Sequence, residues 1–446
     1  MWFLATFRNR RMIKTRSRWG RGEVLAYQER QFQEILRHVW ANSPFYRDYY
    51  TDHGIREQDL GEMNVRDLPI ISKADLMENF DRVSNDPALR RDRLEAWIAS
   101  DDPSLLYDKR FVVIHTSGSS GSVGLFVYDK PAWTRMRGVA SRARTIRLNP
   151  LKRIRLAWYG ATHGRFAGVT TCEALPRLLC DVKVCSVLDP RSKTIAALNQ
   201  FQPELLIGYA GALHELAEAS LAGDLEICPT FVGTSGEKLS GAAVVAIREA
   251  WGVAPTNAYG ASESLCLGLG EAGQEKITLM EDETIIEMLD EQDQEVAPGE
   301  IGRVVITALY NRAIPILRYD LGDTVTRGHR ADGDAFDHIL RVEGRREEAI
   351  PVMLEGGVVD QIHPCLLAGF FVPGIRQFQF ISESPSKITV RYTADEEIDE
   401  AVRVRFEKVL EGKGAARMTV IGVQKVPDLP ADPSTGKRRL VVVHGR

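Results

Sequence analysis

The chain lacks the common marks of a metal protein, a membrane-spanning protein and a nucleic-acid binder. Its six cysteines (Cys172, Cys180, Cys185, Cys228, Cys266 and Cys365) form no CxxC pair, and no HExxH or clustered His/Cys set accompanies them. Neither a thiolate metal cage nor a disulfide framework is indicated, and reduced thiols are expected. No run of about 18 apolar residues occurs, so no spanning helix and no membrane partner are expected. Neither sign of charge dominates: 57 Lys and Arg face 61 Asp and Glu, a net charge of −4, which gives no global pull toward nucleic acid. Arg8, Arg10, Arg11, Lys14, Arg16, Arg18 and Arg21 do gather with no acid among them. Without an apolar signal core or small-residue cleavage site after them, they read as the solvated basic start of a helix in a cytoplasmic protein.

Familiar catalytic signatures are also missing. The stretch HTSGSSGSVG (115–124) follows an apolar FVVI run, and such a Gly/Ser/Thr loop can wrap N–H groups and hydroxyls around phosphate oxygens. It carries no Lys-Ser or Lys-Thr at the Walker spacing, so it is not a P-loop of that class. GLGEAG (268–273) fits G-x-G-x-x-G, but QEKITLMED after it has no helical periodicity and its Glu would repel a pyrophosphate. No G-x-S-x-G elbow occurs. His115, His163 and His214 stand apart in the sequence, and a lone histidine reads first as structural.

What is present is length and alternation. At 446 residues and 44% apolar, the chain can bury a sizeable core in about two or three domains. Phe32, Ile35, Leu36, Val39 and Trp40 recur at helical spacing up to an Asn42-Ser43-Pro44 turn. From about residue 150 strands and helices take turns: RIRLAWYG, VKVCSVL, helical KTIAALNQF, LLIGYA, helical GALHELAEASLAG, TFVGT, helical GAAVVAIREAWG. This pattern predicts an α/β fold with a mainly parallel sheet, whose ligands sit beyond the carboxyl ends of the strands. The last quarter, with KITVRYTA, an amphipathic helix, RMTVIGVQKVP and RRLVVVH, predicts a smaller α+β unit. The boundary is placed near 344–348, giving domains 1–344 and 345–446.

Six polar loops follow in order: TSGSSGSVG, TSGEKLS (234–240), NAYGASES (257–264), RYDLGD (318–323), EGRREEAI (343–350) and STGKRRL (434–440). In order and spacing they resemble the landmarks of the adenylate-forming (acyl/aryl-CoA synthetase) superfamily. The chain length is similar to that of its shorter phenylacetate-CoA ligase branch. The resemblance covers nearly the whole chain.

The resemblance implies an AMP-forming acid–thiol ligase. It would use ATP and Mg²⁺ to turn a carboxylic acid into an acyl-adenylate, then pass the acyl group to a thiol, coenzyme A by default. Thr116, Ser117, Gly118, Ser119, Ser120 and Gly121 match the loop that cradles the β- and γ-phosphates. Gly236 and Glu237 match a stretch beside the adenine, and Tyr259, followed by Gly260, matches the aromatic stacked on it. Glu263 matches the Mg²⁺ carboxylate and Ser262 the hydroxyl usually given by Thr. Asp323 matches the ribose acceptor, with Arg345 reaching the same region. Lys437 matches the catalytic lysine, and Glu347 the hinge acid about which a mobile C-terminal domain turns between half-reactions. Ser122 stands where many relatives carry Lys or Arg, so one positive charge is missing from the loop. LCLGLGEAGQEKITLMED lacks the Cys/His cluster of some members, so no zinc is expected.

WYGATHGRFAG (158–168) corresponds to a region that lines the acyl pocket in relatives, so Trp158, Tyr159, His163 and Phe166 are candidates for surrounding an aromatic acid, although core aromatics at a strand end explain the same letters. The sequence does not identify the acceptor: coenzyme A is the default that the resemblance implies, a carrier protein or an amine is the alternative, and a homodimer is expected from the resemblance. Two other classes stand beside the enzyme, a non-catalytic acyl- or nucleotide-binding homologue and a scaffold protein; binding of ATP and Mg²⁺ separates the enzyme from both.

Overall fold

The computed structural model describes residues 2–443 apart from 101, 103, 117–123, 141, 143–151, 163, 237, 238, 275, 343–349, 356, 363–366, 368, 369, 371 and 430–440. Three helices open the chain: α1 (Trp2–Arg16), α2 (Arg21–Asn42) and α3 (Pro44–Asp52). The spaced residues Phe32, Ile35, Leu36 and Val39 lie in α2 and are buried there. Ser43 ends that helix and caps the next. Its hydroxyl accepts from the Tyr46 N–H at 3.3 Å, and Pro44 occupies the first turn, where no N–H donor is needed.

The strands follow as β1 (Phe111–His115), β2 (Leu125–Asp129), β3 (Ile154–Gly160), β4 (Cys180–Ser186), β5 (Leu205–Tyr209), β6 (Phe231–Ser235), β7 (Thr256–Tyr259), β8 (Gly268–Gly270), β9 (Ile277–Leu279), β10 (Thr284–Leu289), β11 (Ile301–Ala308), β12 (Tyr319–Arg327) and β13 (His338–Val342). Beyond them come β14 (Ile350–Met353), β15 (Val359–Ile362), β16 (Ile375–Ser384), β17 (Lys387–Ala394), β18 (Val420–Lys425) and β19 (Val441–Val443). β1 and β2 form an antiparallel pair of their own, with His115 opposite Leu125. The central sheet runs β10-β11-β12-β13-β9-β8-β7-β6-β5-β3-β4.

From β4 to β7 the sheet is parallel, each strand returned by a helix, as the alternation predicts. From β7 onward it continues antiparallel to β10, a half the sequence reading did not anticipate. The C-terminal part carries a separate sheet, β18-β17-β16-β19, and the helix Asp399–Lys413. The α/β class with a smaller α+β unit is therefore as expected. The proposed boundary at 344–348 lies outside the described residues.

Part of the basic N-terminal set is not solvated. Glu281, Asp282 and Glu283 form a buried acidic triplet between β9 and β10. Arg16 Nη1 reaches Glu283 Oε1 at 2.6 Å, and Arg135 pairs with the same carboxylate. Arg142 donates two bonds to Asp282, at 2.7 and 2.9 Å, and Arg21 Nη1 lies 2.7 Å from Glu281. Burial pushes the Glu283 carboxyl above its ordinary pKa range, and Arg135 and Arg16 oppose that push. Arg16 and Arg21 were expected in water. Their partners lie more than 250 residues away, a separation no local pattern reveals.

Removing one member of a buried ion pair leaves the other uncompensated, at a cost of about 3–5 kcal/mol. Arg142→Met should therefore lower unfolding stability by about that amount in denaturant titrations. A loss under ~1 kcal/mol would mean that water reaches Asp282 and the pair is not a structural anchor.

Candidate functional site

β3, β5, β6 and β7 run side by side in parallel, so their carboxyl ends, Gly160, Tyr209, Ser235 and Tyr259, lie along one edge. Such an edge is where open α/β sheets receive ligands. Ser235 pairs with Ala258 in the last rung between β6 and β7, so Gly236 and Tyr259 stand together just beyond it. Gly236 has φ +78°, and a side chain there would meet the Tyr209 ring at 3.0 Å. Only glycine suits both the conformation and the contact.

The expected phosphate loop joins β1 to β2. Thr116 and Gly124 close its base. The Thr116 N–H donates to the Gly124 carbonyl at 2.8 Å, and the Gly124 N–H donates to Thr116 Oγ1 at 2.7 Å. Ser117, Gly118, Ser119, Ser120 and Gly121 lie outside the described residues. A cation stands at the base: Lys73 Nζ donates to Thr116 Oγ1 at 3.1 Å. Its stem crosses Gly124 so closely that a Cβ there would sit 3.0 Å from Lys73 Cε. Ser122 lies outside the described residues, and Lys73 brings a positive charge to the base of its loop from a distant segment. That segment is anchored, because the Ile71 N–H donates to the Arg318 carbonyl and the Ile71 carbonyl accepts from the Asp320 N–H, both at 2.9 Å.

After β7 the chain leaves the sheet at Gly260, where a Cβ would lie 2.5 Å from the Leu265 carbonyl oxygen, and returns at Leu267, whose N–H donates to the Tyr259 carbonyl at 2.8 Å. Glu263 lies on this excursion and is only 5% exposed. The Tyr319 hydroxyl approaches Glu263 Oε1 at 3.4 Å. Beside it the Tyr128 hydroxyl donates to the Ser262 carbonyl at 2.5 Å, which ties the excursion to β2 and so to the hairpin carrying Thr116.

Asp323 is displayed by a bulge. Arg303 of β11 faces Thr324, while Val305 faces Asp320, so residues 321–323 of β12 stand opposite Val304 alone and two residues are extra on β12. Gly322 takes φ +76° within the bulge, and Asp320 braces it by accepting from the Gly322 N–H at 2.9 Å and from Arg303 at 2.8 Å. The result aims Asp323 at Tyr259, whose hydroxyl donates to Asp323 Oδ2 at 3.0 Å. Two residues 64 positions apart are brought together as the motif order implies.

The four residues assigned to the acyl side are placed unevenly. Trp158, 2% exposed, is enclosed by Gly160 and Gly168, at both of which a Cβ would strike its ring, and its indole N–H donates to the Ala161 carbonyl at 3.3 Å. Tyr159, 3% exposed, follows it on the strand and so points to the other face of the sheet. Phe166 packs into the same core as Trp158. His163, Glu237, Arg345, Glu347 and Lys437 lie outside the described residues. Sequence reasoning missed Lys73 and Tyr319. Ser72 before Lys73 reads only as a helix cap, which it is, accepting from the Asp75 N–H at 3.2 Å.

No family model matches the chain. It is 25% identical over 342 residues to the phenylacetate-coenzyme A ligase of Escherichia coli, covering 74% of this chain and 72% of that one. It is 20% identical over 449 residues to the protein CapK of Staphylococcus aureus, covering 94% and 89%. Among solved structures, 2-hydroxyisobutyryl-CoA ligase in complex with 2-HIB-AMP and CoA in the thioesterification state superposes with a TM-score of 0.59 at 17% identity, over 96% of this chain and 91% of that one. The chain therefore has the adenylate-forming ligase fold, and its likeness to the phenylacetate-CoA ligases, read from its motifs, is borne out.

If Lys73 supplies the missing loop charge, Lys73→Met should weaken ATP binding about 10- to 100-fold, the size of a lost charge-assisted hydrogen bond, with little change in melting temperature. Calorimetric titration with ATP checks it; an unchanged affinity would mean that Lys73 only buttresses Thr116.

Proposed function

We infer that the protein activates a carboxylic acid as its acyl-adenylate, releasing pyrophosphate from ATP, and passes the acyl group to a thiol, coenzyme A first among the candidates. The observation that carries this is the gathering of Gly236, the Tyr259–Asp323 pair and the Glu263 excursion at the carboxyl edge of the sheet, tied to the hairpin that holds Thr116 and Lys73. The relatives named as coenzyme A ligases support the same reading.

The chemistry requires neutralising the triphosphate while a carboxylate attacks its α-phosphorus. Lys73 and the N–H groups of the loop would take the β- and γ-phosphates, Tyr259 and Gly236 would border the base, and Asp323 would accept from the ribose hydroxyls. No cluster of three metal-ligating side chains occurs among the described residues. A magnesium ion bound largely by phosphates and water needs only one or two carboxylates, which Glu263 fits. Such an ion supplies further charge neutralisation at the phosphates. Lys437 would bridge the acid and the α-phosphate, delivered by a C-terminal domain (345–446) turning about Glu347. The acid is assigned as aromatic on the strength of the relatives named as phenylacetate ligases, with Phe166, packed against His115, as the acyl-side candidate. In Escherichia coli the relative is a phenylacetate ligase.

Pyrophosphate release should be measured with ATP, Mg²⁺ and a panel of aryl and alkyl acids, with and without coenzyme A. Release with aryl acids, sustained only when coenzyme A is present, is expected. Preference for alkyl acids would overturn the substrate class, turnover only with a carrier protein or an amine would overturn the acceptor, and no release with any acid would favour a non-catalytic binder. Within that assay Lys437→Ala should slow adenylation about 10²- to 10³-fold, the loss expected for one charge-stabilising donor. Thioester formation from supplied acyl-adenylate should fall far less, and equal losses in both steps would remove Lys437 from its role.

A further inference from the structure

One histidine stands between the two halves of this site. His115, the last residue of β1, is buried, and each ring nitrogen has a different partner. The Arg165 backbone N–H points at Nε2 from 3.1 Å, so Nε2 must accept. The proton then sits on Nδ1, which lies 3.1 Å from the Thr116 carbonyl and donates to it. Burial, only partly opposed by that bond, lowers the pKa of His115 to about 4, in keeping with a neutral ring. The two segments also meet along the backbone, where the His115 N–H donates to the Arg165 carbonyl at 3.3 Å.

The approach is close and specific. Gly164 has φ +69°, and a Cβ on it would stand 2.5 Å from His115 Nε2, so a larger residue would drive the 164–166 segment off the ring. Phe166 lies against the imidazole with ring centroids 4.4 Å apart. Arg165 fixes the outer side: its guanidinium lies 3.5 Å from the centre of the Trp97 ring and donates to the Ser104 and Asp102 carbonyls at 2.7 and 2.8 Å. Thr116 opens the phosphate loop and Phe166 belongs to the acyl side, so a single imidazole bonds to the first and touches the second.

We propose that His115 is a positioning residue that registers the acyl segment 164–166 against Thr116 at the base of the phosphate loop, so that a substrate held by one favours binding at the other. It touches neither substrate in this role. Rigid coupling of two segments gives reciprocal binding effects, because a ligand that fixes the position of one fixes the position of the other. This rests on the adenylation reading above, and the test separates the two.

Three variants of the full chain dissect the imidazole. His115→Asn places an amide N–H where Nδ1 lies and keeps the bond to Thr116. His115→Gln places an amide oxygen where Nε2 lies and keeps the bond from Arg165. His115→Phe keeps only the ring. Hydrogen exchange, which needs no turnover, should show the Arg165 amide losing protection about 3- to 10-fold in Asn and Phe but not in Gln, the size expected for one hydrogen bond. In pyrophosphate-release kinetics Gln should raise the KM for ATP and spare that for the acid, Asn should do the reverse, and Phe should raise both. In wild type the apparent KM of the acid should fall as ATP saturates, by roughly 5-fold or more, and Phe should abolish that dependence. Retained protection at Arg165 in Phe, or losses that do not divide between Asn and Gln, would overturn the proposal. A wild type that releases no pyrophosphate would sink the adenylation reading alone, and the exchange arm would still decide whether His115 holds the two segments together.

Discussion

Three consecutive buried acids set the terms for the rest of this fold. Glu281, Asp282 and Glu283 cannot stay charged in a closed interior without cations, and four guanidiniums, from Arg16, Arg21, Arg135 and Arg142, converge on them. These come from α1, from the start of α2, from the helix that follows the phosphate hairpin and from just beyond it. Buried pairs of this kind add little net stability over apolar packing. What they fix is relative placement, since a displaced guanidinium strands a carboxylate. The next residue, Thr284, shares a hydrogen bond of 2.9 Å with Ser264, the neighbour of Glu263. The acidic turn thereby holds the Glu263 excursion and the helix behind the hairpin in one frame.

The parallel half of the sheet was readable because its inner strands are largely buried on both faces and appear as short apolar runs separated by helices of different period. The antiparallel half was harder to read. β10 and β11 are joined through the connection 290–300 rather than a helix, so the alternation that identifies βαβ units stops at β7. Capping at Ser43 was legible because its signal is local. The burial of Arg16 and Arg21 was not, because what decides it is a partner elsewhere in the chain.

The site divides along the same line. The motif letters identify Tyr259, Glu263 and Asp323 in order, and the structure brings Tyr259 to Asp323 and ties the Glu263 excursion to β2. Local sequence cannot convey how Asp323 is presented. Asp320 is the brace of the bulge that presents Asp323, bonded both to Gly322 and to Arg303. Trp158 and Tyr159 show the converse: adjacent aromatic letters suggest one pocket, yet strand geometry sends them to opposite faces.

The placement of Lys73 has a mechanical consequence, because it belongs to a segment bonded through Ile71 to Arg318 and Asp320, at the start of the strand that carries Asp323. Lys73 and Asp323 are therefore both held by the stretch 318–323. Tyr319, between Arg318 and Asp320, reaches Glu263 from the same stretch. Lys73, Glu263 and Asp323, the three side chains that the proposed function sets around one nucleotide, take their spacing from a single strand, so a shift of β12 would move all three together.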